Sequence, residues 1–188
     1  MKDEKQYHFV AISGSLRRGS YNTMALKAAQ ELAPGNIIIE HLSIEEVPLY
    51  NADLYEKEFP AVVRKLSDAI KAADAVVIVT PEYNYSVPGV LKNTIDFISR
   101  SPDKPFDMKP VGIMGASPGM FGTAKAQYHL RQIMVFLNAY VMNKPEIMIA
   151  QAHTKFDEAG NLEDEKTKEL IIRFIGSLAD LSDIFNRK

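Results

Sequence analysis

The run Ala75-Val-Val-Ile-Val-Thr80 decides the fold, because five consecutive apolar residues precede its threonine. A strand with this continuous pattern is buried on both faces, which is typical of a parallel sheet covered by helices on both sides. Four further apolar, β-rich runs lie at Tyr7–Ile12, Ile37–Leu42, Val111–Ala116 and Ile147–Ala150. The chain is therefore predicted to contain five strands, with enough residues between them to form helices.

The segments between these strands have helical periodicity. Two apolar faces consist of Val62, Leu66, Ala69, Ile70 and Ala73, and of Ala126, Leu130, Ile133, Met134 and Leu137. A last helix is predicted from Glu165 to Phe185. Alternating strands and helices predict a three-layer, doubly wound α/β domain, and five strands favour the flavodoxin-like order over the six-stranded dinucleotide-binding fold. Ligands bind such folds beyond the carboxyl ends of the strands, so we expect a site in the loops after strands one, three and four.

Length and composition indicate the kind of protein. A chain of 188 residues with 46% hydrophobic content predicts one domain over residues 1–188. The charged start Met1–Gln6 and the lack of an apolar stretch of about 20 residues predict a cytoplasmic protein without membrane insertion. The chain has 22 basic and 24 acidic residues without blocks, which argues against nucleic acid and favours a small-molecule partner. There is no cysteine, and no metal site is predicted from the scattered histidines His8, His41, His129 and His153.

The first loop, Ser13-Gly-Ser-Leu-Arg-Arg-Gly-Ser-Tyr-Asn22, lies between the first strand and the helical run Thr23–Ala29. Backbone N–H groups at a helix start are unpaired and favour an anion. Polar side chains can add charge-assisted hydrogen bonds, namely the hydroxyls of Ser15 and Ser20, the Asn22 amide and the Arg17 guanidinium. Phosphate is the predicted occupant.

The same loop has three other interpretations. A Rossmann fingerprint needs a second glycine where Leu16 stands, and a Walker A loop needs a lysine where Ser20 follows Gly19. Both are therefore disfavoured. An ordinary strand-to-helix turn, capped by Ser20 or Asn22, stays open on the loop alone.

The second loop, Thr80-Pro-Glu-Tyr-Asn-Tyr-Ser-Val-Pro-Gly89, is stiffened by two prolines. A flavin ring has a polar pyrimidine edge and apolar faces. This loop can contact both parts of the ring. The backbone amides of residues 82–85 and the Asn84 side chain suit the polar edge, and the Tyr83 ring suits an apolar face. The alternative, that the two tyrosines only cover the end of the sheet, stays open.

The third loop, Gly115-Ala-Ser-Pro-Gly119, matches the nucleophile motif Gly-x-Ser-x-Gly of serine hydrolases. Pro118 has no N–H for an oxyanion hole, and Glu146 is the only acidic residue between Ser117 and His153, so a hydrolase is disfavoured. Ser117 can instead bond a flavin ring or ribityl chain, and Gly119 allows close approach of the backbone. A plain glycine-containing turn stays open.

With these loops the chain resembles the NADPH-dependent FMN reductase family, through Gly14-Ser-Leu-Arg-x-Gly-Ser-x-Asn22 and Thr80-Pro-Glu-Tyr-Asn-Tyr-Ser-x-Pro-Gly89. It is most similar to the bacterial chromate and quinone reductase branch, which Tyr128–Ile133 and Met142–Glu146 also resemble. One departure is Lys125, where that branch carries arginine. The resemblance implies a flavodoxin-like fold, FMN as cofactor, NADPH or NADH as electron donor, and a homodimer or homotetramer.

The motifs and the resemblance together give a hypothesis for function. Hydride passes from NAD(P)H to bound FMN and then to a quinone-like acceptor in a ping-pong cycle, with chromate, azo and nitro compounds as further acceptors. The cofactor carries the chemistry, so no catalytic acid or base is predicted. The alternative is a flavodoxin-type one-electron carrier, which the balanced charge disfavours. The predicted cofactor-binding residues are Ser13, Gly14, Ser15, Leu16, Arg17, Arg18, Gly19, Ser20, Asn22, Pro81, Glu82, Tyr83, Asn84, Tyr85, Ser117 and Gly119.

Overall fold

The computed structural model describes residues 5–185, apart from the side chains of residues 54 and 57; the ends of the predicted domain, 1–4 and 186–188, lie outside the described residues. The strands are β1 (Tyr7–Ser13), β2 (Ile37–His41), β3 (Ala75–Val79), β4 (Pro110–Ala116), β5 (Tyr140–Val141) and β6 (Ile147–Ile149). The helices are α1 (Tyr21–Glu31), α2 (Ala52–Lys57), α3 (Ala61–Ala72), α4 (Gly89–Ile98), α5 (Ala124–Phe136) and α6 (Glu165–Phe185). No helix within residues 5–185 is long and apolar enough to span a bilayer.

The strands form one parallel sheet in the order β2-β1-β3-β4-β5, which confirms the flavodoxin-like fold. At the fifth position of the sheet, the structure has two short strands where the sequence predicted one strand at 147–150. β5 pairs with the start of β4 and β6 with its end. The chain between them contains Pro145, which has no N–H to donate to a strand ladder.

All five residues of β3 are buried, which explains why its sequence is continuously apolar. Val77 and Val79 pack in a cluster with residues of α1 and α6 on one face of the sheet. Val76 and Ile78 pack in a second cluster with residues of α3, α4 and α5 on the other face. Helices therefore cover both sides of the central strand, as the pattern predicted.

The start of α6 is held by Asp164. Its Oδ1 accepts a hydrogen bond from the Thr167 N–H at 3.0 Å and another from the Thr167 hydroxyl, and the Lys155 ammonium lies 3.3 Å away. The Thr167 hydroxyl bond, helped by Lys155, holds the pKa of Asp164 below its usual value of 3.8. The carboxylate therefore acts as the N-cap of the helix that supplies Phe174 and Ile175 to the core.

Replacing Asp164 with alanine is expected to lower the unfolding free energy by about 1 kcal/mol, because the cap is lost. Asp164→Asn is the matched control, since asparagine caps a helix about as well without a charge. Because folding lowers this pKa, the carboxylate contributes stability above its unfolded value and loses it as the pH falls through the folded value. The free energy of unfolding, measured by urea denaturation, should thus fall less on acidification for Asp164→Asn than for the wild type. An equal fall in both proteins would contradict the assignment.

Candidate functional site

The carboxyl ends of β1, β3 and β4 are adjacent in the sheet, so the three predicted loops meet at one edge. They surround a single cleft of about 430 Å³. Its lining comes from all three loops: Ser15, Arg17, Ser20, Tyr21, Asn22, Pro81, Glu82, Tyr83, Ala116, Ser117 and Pro118. Eight of these residues are among the predicted cofactor contacts.

The first loop ends at Ser20, the N-cap of α1. Its backbone is extended, and its hydroxyl accepts a hydrogen bond from the Asn22 N–H at 3.2 Å. The first turn of α1 contains no acidic residue. Arg17 is exposed, donates to the Gly19 carbonyl, and lies 5.9 Å from the centroid of the Tyr21 ring. This end of the cleft therefore presents a helix start and a guanidinium, which together favour an anion.

Asn22 has a role that the sequence did not reveal. Its Nδ2 donates to the Ala116 carbonyl, and its Oδ1 accepts from the Ala116 N–H, both at 2.9 Å. The side chain is buried and joins the start of α1 to the third loop. Since the amide nitrogen carries two protons, one of them remains for a ligand.

Some of the predicted residues lie behind the cleft rather than in its lining. Ser13 is buried with its hydroxyl 3.0 Å from that of Thr23, and the Gly14 N–H donates to the Val79 carbonyl at 2.8 Å. Leu16 and Arg18 line a smaller cavity of about 170 Å³ on the other side of the loop, together with His41, whose pKa is lowered by burial. The cleft lining also omits Gly19, Asn84, Tyr85 and Gly119.

The second loop forms a tight hairpin. Tyr83 and Ser86 exchange two backbone hydrogen bonds of 3.1 Å, and the two residues between them have positive φ values of 52° and 65°. This is the conformation of a type I′ turn, which asparagine adopts readily and tyrosine rarely. The hairpin bonds use the N–H groups of Tyr83 and Ser86, and within residues 5–185 those of Asn84 and Tyr85 donate to no backbone carbonyl.

Glu82 fixes the second loop to α5. Its Oε2 accepts a hydrogen bond from the Ala126 N–H at 3.1 Å. The helix's own N-cap, Thr123, has a φ of 70° and makes no capping bond with its side chain. Ser86 adds a second link, since its hydroxyl lies 3.0 Å from His129 Nδ1. Two side-chain hydrogen bonds therefore join the second loop to the first turns of α5.

Replacing Glu82 with alanine should lower the free energy of local opening at the start of α5 by about 1 kcal/mol, which is the usual cost of losing a helix cap. Glu82→Gln keeps a carbonyl acceptor and should lose less. The direct readout is amide hydrogen exchange at Ala126, which should be faster in Glu82→Ala than in Glu82→Gln and the wild type. Equal exchange in all three proteins would show that the hydrogen bond does not hold the helix start.

The third loop is not a hydrolase elbow. Within residues 5–185 the Ser117 hydroxyl has one protein partner, the Gly119 carbonyl at a weak 3.4 Å, and no histidine. Glu146 instead accepts from the Tyr128 hydroxyl and from the Lys144 ammonium, each at 3.1 Å. The Lys144 bond holds the pKa of Glu146 below its usual value. Ser117 is therefore free to bond a ligand.

The donor set of the cleft fits a flat cofactor with a phosphate group. Its lining includes three serine hydroxyls and one guanidinium, from Ser15, Ser20, Ser117 and Arg17. Glu82 is the only carboxylate among the lining residues, and it is used as the cap of α5. A volume of about 430 Å³ is within the usual range for cofactor sites.

Comparisons with known proteins agree with this geometry. The family model for NADPH-dependent FMN reductase matches residues 7–154. The chain is 54% identical over 162 residues to an NAD(P)H-dependent FMN reductase of Pseudomonas aeruginosa, covering 86% of this chain and 88% of the relative. It is 52% identical over 161 residues to a quinone reductase of Escherichia coli, covering 84% and 86%. The solved structure of FerB, a flavoenzyme NAD(P)H:(acceptor) oxidoreductase from Paracoccus denitrificans, matches with a TM-score of 0.87 and 35% identity over 95% of this chain and 98% of that one.

Proposed function

Because the chain belongs to the NADPH-dependent FMN reductase family, we propose that it uses FMN and NAD(P)H to reduce quinones. The observation that carries the proposal is the single cleft at which the three predicted loops meet. The Escherichia coli relative is named a quinone reductase, which supports a quinone-like acceptor.

Each loop has a separate task in this proposal. The phosphate is held by the start of α1 with Ser15, Arg17 and Ser20, where charge-assisted hydrogen bonds are strongest. The ring would be held by the rest of the lining, which comes from Pro81, Glu82 and Tyr83 of the second loop and from Ser117 of the third. FMN, when bound, supplies hydride transfer chemistry that no amino-acid side chain provides.

The donor and the acceptor would use the same face of the cleft in turn. Bound FMN would supply the hydride acceptor that turns NAD(P)H into NAD(P)⁺, which then leaves. The quinone then gains two electrons and two protons, one proton coming from solvent, and becomes the hydroquinone. This order is a ping-pong cycle. An open face discriminates little between acceptors, so chromate, azo compounds and nitro compounds are proposed as further acceptors.

We also propose that the protein is a homodimer or homotetramer. The faces proposed for contact are α4 and the outer face of α5 within residues 125–138. That outer face exposes three large apolar or aromatic side chains, Tyr128, Val135 and Phe136. Exposed apolar side chains on one helix face are typical of subunit contacts.

The test of the proposed function is an anaerobic titration of the FMN-loaded protein. NADPH should bleach the flavin absorbance, and a quinone added afterwards should restore it. Flavin that stays oxidised under anaerobic NADPH would exclude the reductase and would favour a flavodoxin-type one-electron carrier.

A further inference from the structure

Tyr21 lines the cleft but was not among the predicted cofactor-binding residues. It is the first residue of α1, and its side chain is half-buried. The Arg17 guanidinium contacts the Tyr21 ring, with Cζ 5.9 Å from the centroid. The Phe156 ring lies 5.8 Å from the same centroid, at an angle of 34°. Both distances are within the usual ranges for cation–π and aromatic pairs, so Tyr21 links Arg17 to Phe156.

Phe156 is held firmly in place. Its ring is 8% exposed and belongs to the core cluster that contains residues of α1 and α6. An antiparallel bridge between Phe156 and Leu162 closes the hairpin of residues 156–162, which precedes α6. The hairpin packs closely on α1, since a Cβ added at Gly160 would lie 3.2 Å from Met24 Cγ. Phe156 is therefore a rigid support for the first turn of α1.

Arg17 is a side chain that such a support can help. It is exposed, and a long side chain loses rotamer freedom when it binds an anion. The guanidinium donates one hydrogen bond to the Gly19 carbonyl, which leaves most of its five N–H groups for a ligand. A guanidinium that is already held against a ring loses less freedom on binding, so it binds the same anion more tightly.

The family likeness does not account for this contact. The family model matches residues 7–154, so Phe156 and its hairpin lie beyond it. Tyr21 occupies the open position before Asn22 in the motif of the first loop. The ring contacts thus join a residue that the motif leaves open to a segment that the family model does not match.

We infer that Tyr21 and Phe156 are positioning residues that hold the Arg17 guanidinium at the phosphate end of the cleft. The inference rests on the proposed function, in which Arg17 binds the phosphate of FMN. Phe156 supports the Tyr21 ring, and the ring holds the guanidinium. Both residues therefore act on the affinity for the phosphate and not on the affinity for the flavin ring.

The test compares the binding of FMN and riboflavin, which share the flavin ring and the ribityl chain and differ in the phosphate. The flavin-free, full-length protein is titrated with each compound, and quenching of flavin fluorescence gives both dissociation constants. The ratio of the riboflavin constant to the FMN constant measures the contribution of the phosphate. Tyr21→Leu removes the ring, Tyr21→Phe keeps it, and Phe156→Leu removes the support.

Tyr7→Leu is the matched control. Tyr7 is also half-buried, has the Lys5 ammonium 4.9 Å from its ring centroid and pairs with the Phe9 ring at 6.2 Å. It is the first residue of β1, at the end of the strand opposite the cleft. Its replacement therefore removes the same kind of ring contact away from the phosphate, and the ratio should be unchanged.

The ratio should fall about fivefold in Tyr21→Leu and about threefold in Phe156→Leu, as expected when one side chain must be immobilised on binding. It should be preserved in Tyr21→Phe. In a protein that already carries Arg17→Met, Tyr21→Leu should not lower the ratio further, because the ring acts through the guanidinium.

An unchanged ratio in Tyr21→Leu or in Phe156→Leu would overturn the inference. An equal loss of affinity for FMN and riboflavin would do so too, since the ring would then serve the flavin or the fold. A loss in Tyr21→Phe as large as in Tyr21→Leu, or an equal fall with and without Arg17, would also overturn it. A ratio that Arg17→Met leaves unchanged would instead refute the proposed phosphate site.

Discussion

Replacing Gly115 with alanine is expected to lower the unfolding free energy by about 3 kcal/mol, the upper part of the usual range for overpacking a core. An added Cβ would lie 1.9 Å from Thr123 Oγ1 and 2.5 Å from the Thr80 carbonyl oxygen. Thr123 is buried, and the Thr80 N–H is bonded to the Met114 carbonyl at 2.9 Å. Neither neighbour can move without disturbing the sheet edge that carries the second and third loops.

Gly176→Ala is the matched control, because the same methyl group added there, inside α6, meets no atom within 4 Å. Alanine is the better helix former, so this variant should gain about 0.5–1 kcal/mol. Urea denaturation of the three proteins measures both effects. Equal midpoints for Gly115→Ala and the wild type would show that the end of β4 is not closely packed against Thr80 and Thr123.

Replacing Arg17 with methionine is expected to raise the dissociation constant of FMN by about 10- to 100-fold. A hydrogen bond to a charged group contributes about 1.5–3 kcal/mol, and each tenfold change in affinity corresponds to about 1.4 kcal/mol. The guanidinium lines the cleft beside Ser15 and Ser20, and within residues 5–185 it pairs with no carboxylate. Its charge is therefore available to a phosphate.

Ser20 is a poorer choice for this test, because its hydroxyl also caps α1 and its removal would change stability as well as affinity. Arg173→Met, on an exposed part of α6, removes the same charge away from the cleft lining and is the control. Quenching of FMN fluorescence on binding gives the dissociation constants. Equal affinity for Arg17→Met and Arg173→Met would remove Arg17 from the phosphate site.

The fold could be predicted from the sequence because burial leaves a local pattern. The apolar run at Ala75–Thr80 and the four other apolar runs predicted β1, β2, β3, β4 and β6. The positions of the loops after β1, β3 and β4 followed from the predicted topology. β5 was missed because two residues are too few to show a period, and α2 was missed within the long connection between β2 and α3.

The side-chain contacts between the loops were beyond prediction because they join distant parts of the chain. Asn22 bonds a residue 94 positions away, and Glu82 bonds one 44 positions away. Glu82 takes the capping role that the side chain of Thr123 does not fill. No local pattern at the start of α5 indicates that residue.

We propose that one cleft, built by the three loops, holds FMN with its phosphate at the start of α1. A crystal structure of the protein with FMN tests it most directly. The phosphate is expected within hydrogen-bonding distance of Ser15, Arg17 and the first N–H groups of α1, and the ring is expected between the second loop and Ser117. A phosphate bound instead in the cavity beside Leu16 and His41, or a ring that does not touch the second loop, would contradict it.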